Sequence, residues 1–210
     1  MEFWNESVTD RAWKVLIKLV NKFDPIVIGG WAAYLLTKTL KSKDIDVVVD
    51  FETLQKLKID FGLKKNIHLK KYEAIVDEVS IDIYVPYFSK LAIPPEDLQK
   101  LSMRVEGIRI AKPEALLILK QQAELERKDS IKGLKDRVDI LNILINSKVD
   151  FKKYHKLIEK YKLEDYPKRL ESIIKTAKKE FDYLGMKNLR KIRLMKKRLL
   201  IDLRSHTLSW

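Results

Sequence analysis

Apolar residues between positions 8 and 23 (Trp13, Leu16, Ile17, Leu19, Val20, Phe23) recur at helical spacing, which predicts an amphipathic helix. Asp24-Pro25 ends it, because a proline pushes the residue before it out of the helical region, and the run Ile26-Val27-Ile28 reads as a strand. Behind Gly29-Gly30 the spacing predicts a helix over 32–40, then a strand over 45–49 and a short helix over 52–57. Two strands, 72–76 and 79–85, flank the turn-like pair Asp77-Glu78, and Pro86 stops the second. A last strand, 108–111, follows Gly107. From Lys112 onward the pattern becomes helix after helix: 114–128 behind Pro113, then 131–145, 151–161, 166–183 and 187–203. The expected architecture is α/β (α+β): a mixed-sheet module over residues 1–111, followed by a C-terminal helical bundle over 112–210.

Composition sharpens this in two ways. The 210 residues include no cysteine, which excludes disulfides and thiolate metal sites and fits a reducing compartment. The N-terminal stretch MEFWNESVTDRAWKVL lacks a charged-then-apolar signal pattern, and no apolar run approaches the ~20 residues of a membrane span. The expectation is a cytoplasmic protein with no membrane partner. Charge is placed unevenly. Residues 1–110 carry 17 Lys+Arg against 16 Asp+Glu, whereas residues 111–210 carry 26 against 14, so nearly all of the net charge of +13 lies in the helical half. Between positions 187 and 204, eight basic residues accompany one acid, Asp202. Such a surface suits a polyanion, with RNA the natural candidate, or is simply a solvated lysine-rich face.

The segment GGWAAYLLTKTLKSKDID carries the chemistry. Thirteen residues separate Gly30 from Asp44, and Asp44 and Asp46 open the second apolar strand. Alternate residues of a strand share a face, so both carboxylates project together while Ile45 and Val47 turn away. Two carboxylates suit Mg2+, which takes one or two of them together with phosphate oxygens. A glycine pair at a strand-to-helix turn lets backbone approach a phosphate near the positive end of a helix. A third acid, Asp82, lies in VSIDIYV on the face opposite Val79, Ile81, Ile83 and Val85. On a strand beside Asp44 and Asp46 it would hold a second ion or take the proton of an attacking hydroxyl. Otherwise it is a solvent-facing aspartate on an amphipathic strand.

The order Gly-Gly, thirteen residues, Asp-Ile-Asp, then a later strand aspartate resembles the nucleotidyltransferase superfamily with the polymerase-beta-like fold. More closely it resembles the AbiEii-type, toxin-like branch. A second block, PEALLILKQQAELERKDSIKGLKDRVDI, matches that branch through Lys120, Ala123, Arg127, Asp136 and Asp139, so the resemblance spans roughly residues 26–142. It implies that Asp44 and Asp46 bind Mg2+, that Asp82 completes the acidic cluster, and that Gly29 and Gly30 cradle the triphosphate. Ser42 assists just before the acids and Lys120 pairs with nucleotide phosphates. Asp136, which follows Lys135 as in the branch's basic-Asp pair, is favoured over Asp139 as the late acid. Many superfamily members carry Gly-Ser where this chain has Gly30-Trp31, so a hydroxyl often found beside the phosphates is missing here, although Gly-Gly is common in the branch.

The resemblance implies Mg2+-dependent transfer of a nucleoside monophosphate from a nucleoside triphosphate to an acceptor hydroxyl, with pyrophosphate released. The acceptor is RNA, for instance a tRNA end, or a protein hydroxyl or a small molecule, and a toxin would have an antitoxin protein as partner. The competing expectation is a catalytically silent nucleotidyltransferase fold that only binds nucleic acid. On residue pattern alone, Lys120, Arg127, Asp136 and Asp139 also read as ion pairs between two neighbouring helices. His68, His155 and His206 lack the spacing of zinc ligands, and the Gly-Gly turn lacks the lysine of a Walker A loop. Trp31 reads as either a base-stacking platform or core.

Overall fold

The computed structural model describes residues 6–205, which leaves His206 outside the described residues, and the chain divides into two compact units, Met1–Lys112 and Pro113–Trp210. In the first unit, α1 (Glu6–Phe23) buries Ala12, Val15, Leu16, Leu19 and Val20 along one stripe, as its spacing predicts. It stops at Asp24, which takes a left-handed φ of +44° and whose carbonyl accepts from Arg109 Nη2 at 2.6 Å. Strand β1 (Ile26–Ile28) leads straight into α2 (Gly29–Thr37), so this helix begins at the glycine pair rather than three residues behind it. Strand β2 (Ile45–Val48) and helix α3 (Phe51–Phe61) follow, the helix capped by Asp50, whose side chain accepts from Thr53 N at 2.7 Å. Then come β3 (Lys64–Asn66), β4 (Lys71–Val76), β5 (Val79–Tyr84), the single turn α4 (Pro95–Leu98), β6 (Ser102–Val105) and β7 (Ile108–Ala111).

The seven strands form one mixed sheet in the order β3-β4-β5-β2-β1-β7-β6. β2 runs antiparallel to β1 and parallel to β5, while β1 runs parallel to β7. The β4–β5 and β6–β7 hairpins each turn on two residues with positive φ, Asp77 (+49°) with Glu78 (+64°) and Glu106 (+51°) with Gly107 (+81°). Their backbone twist matches that of the strands they join. Because a strand alternates its side chains between faces, β2 and β5 separate cleanly. Ile45, Val47, Ile81 and Ile83 are buried, while Asp46 and Asp82 lie on the other face and stay partly exposed. Helices α1, α2 and α3 pack on strands β5, β2 and β4 respectively.

Three elements were not expected. β3, with the sequence Lys-Lys-Asn, is an exposed edge strand with no apolar alternation to betray it, β6 is the opposite edge, and α4 is too short for a helical period.

The second unit is helical: α5 (Pro113–Glu126), α6 (Ile131–Asn146), α7 (Phe151–Tyr161), α8 (Tyr166–Thr176), α9 (Lys179–Tyr183) and α10 (Leu189–Arg204). Ser130, Asp150 and Asn188 cap α6, α7 and α10 through their side chains. The helix expected over 166–183 breaks in two at Ala177, which adopts φ −55°, ψ 130° with no glycine or proline to announce it. The carbonyls freed at the break accept from Lys196 Nζ of α10, at 3.0 Å for Lys175 and 2.5 Å for Ala177. The stop is therefore made by a distant side chain. Among the described residues no helix is long and apolar enough to cross a membrane.

Charged groups are buried between these helices. Glu124 accepts from Arg169 Nε at 2.7 Å, and Arg137 Nε donates to Glu180 at 2.5 Å. Burial alone would raise the Glu180 carboxyl, but the hydrogen bonds from Arg137 and from the backbone N–H of Lys178 prevail and hold it below its ordinary range. A carboxyl so depressed stabilises the fold above its unfolded pKa, and that stabilisation is lost as the pH falls through the folded value. Glu180→Gln is expected to cost about 1.5–3 kcal/mol at pH 7, with the deficit shrinking below about pH 4. Urea unfolding of both proteins at pH 7 and pH 3 checks this, and a deficit unchanged at pH 3 would contradict it.

Candidate active site

Gly29 sits between β1 and α2 at φ +65°, a conformation that side-chain-bearing residues rarely adopt. The strand register explains what surrounds it: Ile28 of β1 lies opposite Asp46 of β2, so the Asp46 carboxylate folds over the turn. A Cβ built on Gly29 would stand 2.0 Å from Asp46 Oδ2 and 2.7 Å from its Cγ. Glycine is thus required twice, for its backbone angle and for the space the carboxylate fills. The same turn begins a nine-residue helix whose N-cap residue, Ile28, offers no side-chain cap. An anion-binding helix end and an acidic side chain therefore meet at one place, the combination that a metal-bridged phosphate needs.

Asp44 and Asp46 are both half-buried, and Asp46 lies in register with Asp82 of the parallel neighbour β5. Gly29, Asp46 and Asp82 are thereby brought together, and Asp44 lies two residues before Asp46 at the mouth of β2. Ser42 is 2% exposed, and Gly30 and Trp31 are buried. Trp31 is fully buried and packs at a tilt against Trp13, ring centroids 5.3 Å apart, so it is a core residue and not a platform for a base. Among the described residues, no three His, Asp or Glu side chains form a ready-made metal cage. Asp44 and Asp46 provide two carboxylates, the number Mg2+ takes when phosphate oxygens supply the rest. The donor chemistry and the side-chain-free backbone at Gly29 both fit such an ion with its nucleotide.

One participant escaped sequence reasoning. Lys71 of β4 reaches across the sheet and donates to Asp82 Oδ2 at 2.6 Å, with Glu73 Oε1 at 3.2 Å from the same ammonium. Burial would lower the Lys71 ammonium, yet the two carboxylates raise it above its ordinary value. Glu73 is held below the usual carboxylate range: burial pushes it up, and the hydrogen bonds from Lys71 and Asn66 outweigh that. A lysine two residues from an acid on an exposed strand carries no signal of its own. Only the β4–β5 register, with Glu73 opposite Asp82, brings it to the site.

The other motif residues gather in the helical unit. Lys120, 6% exposed, donates to Asp139 Oδ2 at 2.6 Å and to Asp136 Oδ1 at 3.4 Å, and Arg127 Nη2 lies 2.8 Å from Asp136 Oδ2. Both acids are 2% exposed, so this is a buried charge network rather than a set of solvent-facing pairs. Its burial explains why the block carries a lysine, an arginine and two aspartates at this spacing, whatever else it does.

Removing the hydrogen of Gly29 in favour of a methyl tests the turn. Gly29→Ala forces an unfavourable positive φ, at about 1–2 kcal/mol, and drives the Asp46 carboxylate aside. A misplacement of that order is expected to lower any turnover that depends on this carboxylate about a hundredfold. Thermal unfolding and turnover measured on the same preparation check both parts, and turnover within twofold of wild type would contradict this placement of the carboxylate.

No protein-family model matches the chain, and no curated protein matches it either. Solved structures do. A candidate nucleotidyltransferase from Helicobacter pylori aligns over 98% of this chain and 100% of its own, with TM-score 0.52 and 15% identity. JHP933 from Helicobacter pylori aligns over 97% of this chain and 96% of its own, with TM-score 0.51 and 16% identity. ANT(2")-Ia in complex with adenylyl-2"-tobramycin aligns over 76% of this chain and 99% of its own, with TM-score 0.51 and 14% identity. At these identities the likeness is one of fold: the seven-stranded mixed sheet with its helices is a nucleotidyltransferase-like α/β fold.

Proposed function

We propose that the protein is a Mg2+-dependent nucleotidyltransferase of the AbiEii-type branch, acting in the cytoplasm. The observation that carries this reading is the packing of Asp46 directly over the positive-φ Gly29, with Asp82 in register beside it. Two separated sequence motifs become one small region of acid and uncapped helix end, which a metal-bound triphosphate would fit. Asp44 and Asp46 hold the ion, and the N–H groups at Gly29 and Gly30 receive the phosphates, with Ser42 supporting the loop before the acids. Held by Asp44 and Asp46, Mg2+ would offset the negative charge on the phosphates and on the transferring group. An acceptor hydroxyl oxygen bonds to that phosphorus as the bond to the bridging oxygen of the β-phosphate breaks. Pyrophosphate leaves, and the hydroxyl proton passes to Asp82 or to water. Within the helical unit, Lys120 and Asp136 are held by their buried network with Asp139.

RNA is the acceptor best supported by charge. Arg190, Arg193, Lys197 and Arg198 are exposed along α10 at positions that share one helical face, interleaved with the exposed Leu194 and Ile201. Phosphates and unstacked bases suit such a face. A toxin of this branch would be restrained by an antitoxin protein.

The test supplies each α-32P-labelled nucleoside triphosphate with Mg2+ and total RNA, to wild type and to Asp44→Ala/Asp46→Ala. Label entering RNA only with intact acids is the expected result and names the nucleotide. Label on protein would retain the reaction and replace the acceptor. Absence of label together with salt-dependent RNA binding would replace the reading with a silent nucleic-acid-binding fold.

A further inference from the structure

The two acids the site needs for Mg2+ are only part of the carboxylate row on that face. Register places Glu73 of β4 opposite Asp82 of β5, and Asp82 opposite Asp46 of β2. Neighbouring strands lie roughly 4.8 Å apart, so three carboxylates stand in line, with Asp44 close to the last of them. Like charges at that spacing need compensating cations. One cation is already built in. Lys71 Nζ lies 2.6 Å from Asp82 and 3.2 Å from Glu73, and its side chain is only 13% exposed. Asn66 Nδ2 donates to Glu73 Oε1 at 3.0 Å and fixes that carboxylate in turn.

We infer that the site takes a single divalent ion, on Asp44 and Asp46, and that the Lys71 ammonium replaces a second one at Asp82 and Glu73. The inference rests on the nucleotidyl-transfer reading and adds the metal count to it. In two-metal sites the ions lie about 3.5–4 Å apart, so a second ion beside the first needs Asp82 as a ligand. That carboxylate already shares an oxygen with a tethered positive charge, which repels a divalent ion there and cannot diffuse away. Lys71 is a positioning residue in this scheme: it fixes Asp82 one strand away from the ion and supplies the charge balance, while touching neither nucleotide nor metal.

The experiment counts Mn2+ by electron paramagnetic resonance in the presence of the four α,β-methylene nucleoside triphosphates in turn. Wild type and Lys71→Met are compared, after thermal unfolding has confirmed that both are folded. The expected counts are one tightly held Mn2+ per nucleotide complex in wild type and two in Lys71→Met, where Asp82 and Glu73 lose their cation. Two ions in wild type would overturn the inference while leaving nucleotidyl transfer intact, and that arm stands even if the variant does not fold. A single ion in a folded Lys71→Met would overturn it as well. Wild type that binds neither nucleotide nor Mn2+ would remove the nucleotidyl-transfer reading itself, and the inference with it.

Discussion

If the proposed nucleotidyl transfer holds, Asp46→Asn is expected to reduce it by about a thousandfold or more while changing the stability of the fold by no more than about 1 kcal/mol. The activity loss follows from what the carboxylate holds. A bound metal contributes several kcal/mol of charge stabilisation, and each ~1.4 kcal/mol is a factor of ten in rate. Stability is expected to change little. Asparagine keeps the shape over Gly29 but removes a negative charge lying beside Asp44 and in register with Asp82. For a half-buried group, relief of that repulsion amounts to no more than about 1 kcal/mol. Turnover and urea unfolding on one preparation decide the matter. Retained turnover would place the chemistry elsewhere, and a loss of several kcal/mol in stability would make Asp46 a structural residue.

The second large effect is expected in the helical unit and concerns stability. Lys120→Met preserves the length of the side chain but leaves Asp139 and Asp136, each 2% exposed, without the ammonium that holds them. Breaking a buried pair from one side typically costs about 3–5 kcal/mol, because a charge stays behind without compensation. Asp136 keeps Arg127 nearby, whereas Asp139 loses its 2.6 Å partner. The double variant Lys120→Met/Asp139→Asn is therefore expected to recover part of the loss, as coupled neighbours do. A single variant within about 1 kcal/mol of wild type would show that the network is not the structural element its burial implies.

Much of the fold was legible because its central strands obey simple periodicity. The alternation in VSIDIYV separated Asp82 from its apolar neighbours, and the acids ahead of Val47-Val48-Val49 marked where β2 opens. What stayed hidden depended on partners distant in sequence. β3 exists because β4 pairs with it, not because Lys-Lys-Asn favours a strand. The break at Ala177 is completed by Lys196, and the expected single helix over 166–183 had no local reason to stop. The site divides in the same way. The glycines and aspartates announce themselves through residue type and spacing, and the close fit of Asp46 on Gly29 follows from the β1–β2 register. Lys71 is invisible until the register of two hairpin strands delivers it to Asp82.

The proposal of a metal and triphosphate site at Gly29, Asp44 and Asp46 is tested most directly by anomalous diffraction from crystals grown with Mn2+ and an α,β-methylene nucleoside triphosphate. The expected result is an anomalous peak ligated by Asp44 and Asp46, with phosphate oxygens completing its shell and lying against the backbone of Gly29 and Gly30. A nucleotide seated elsewhere, or Mn2+ bound away from both aspartates, would contradict it.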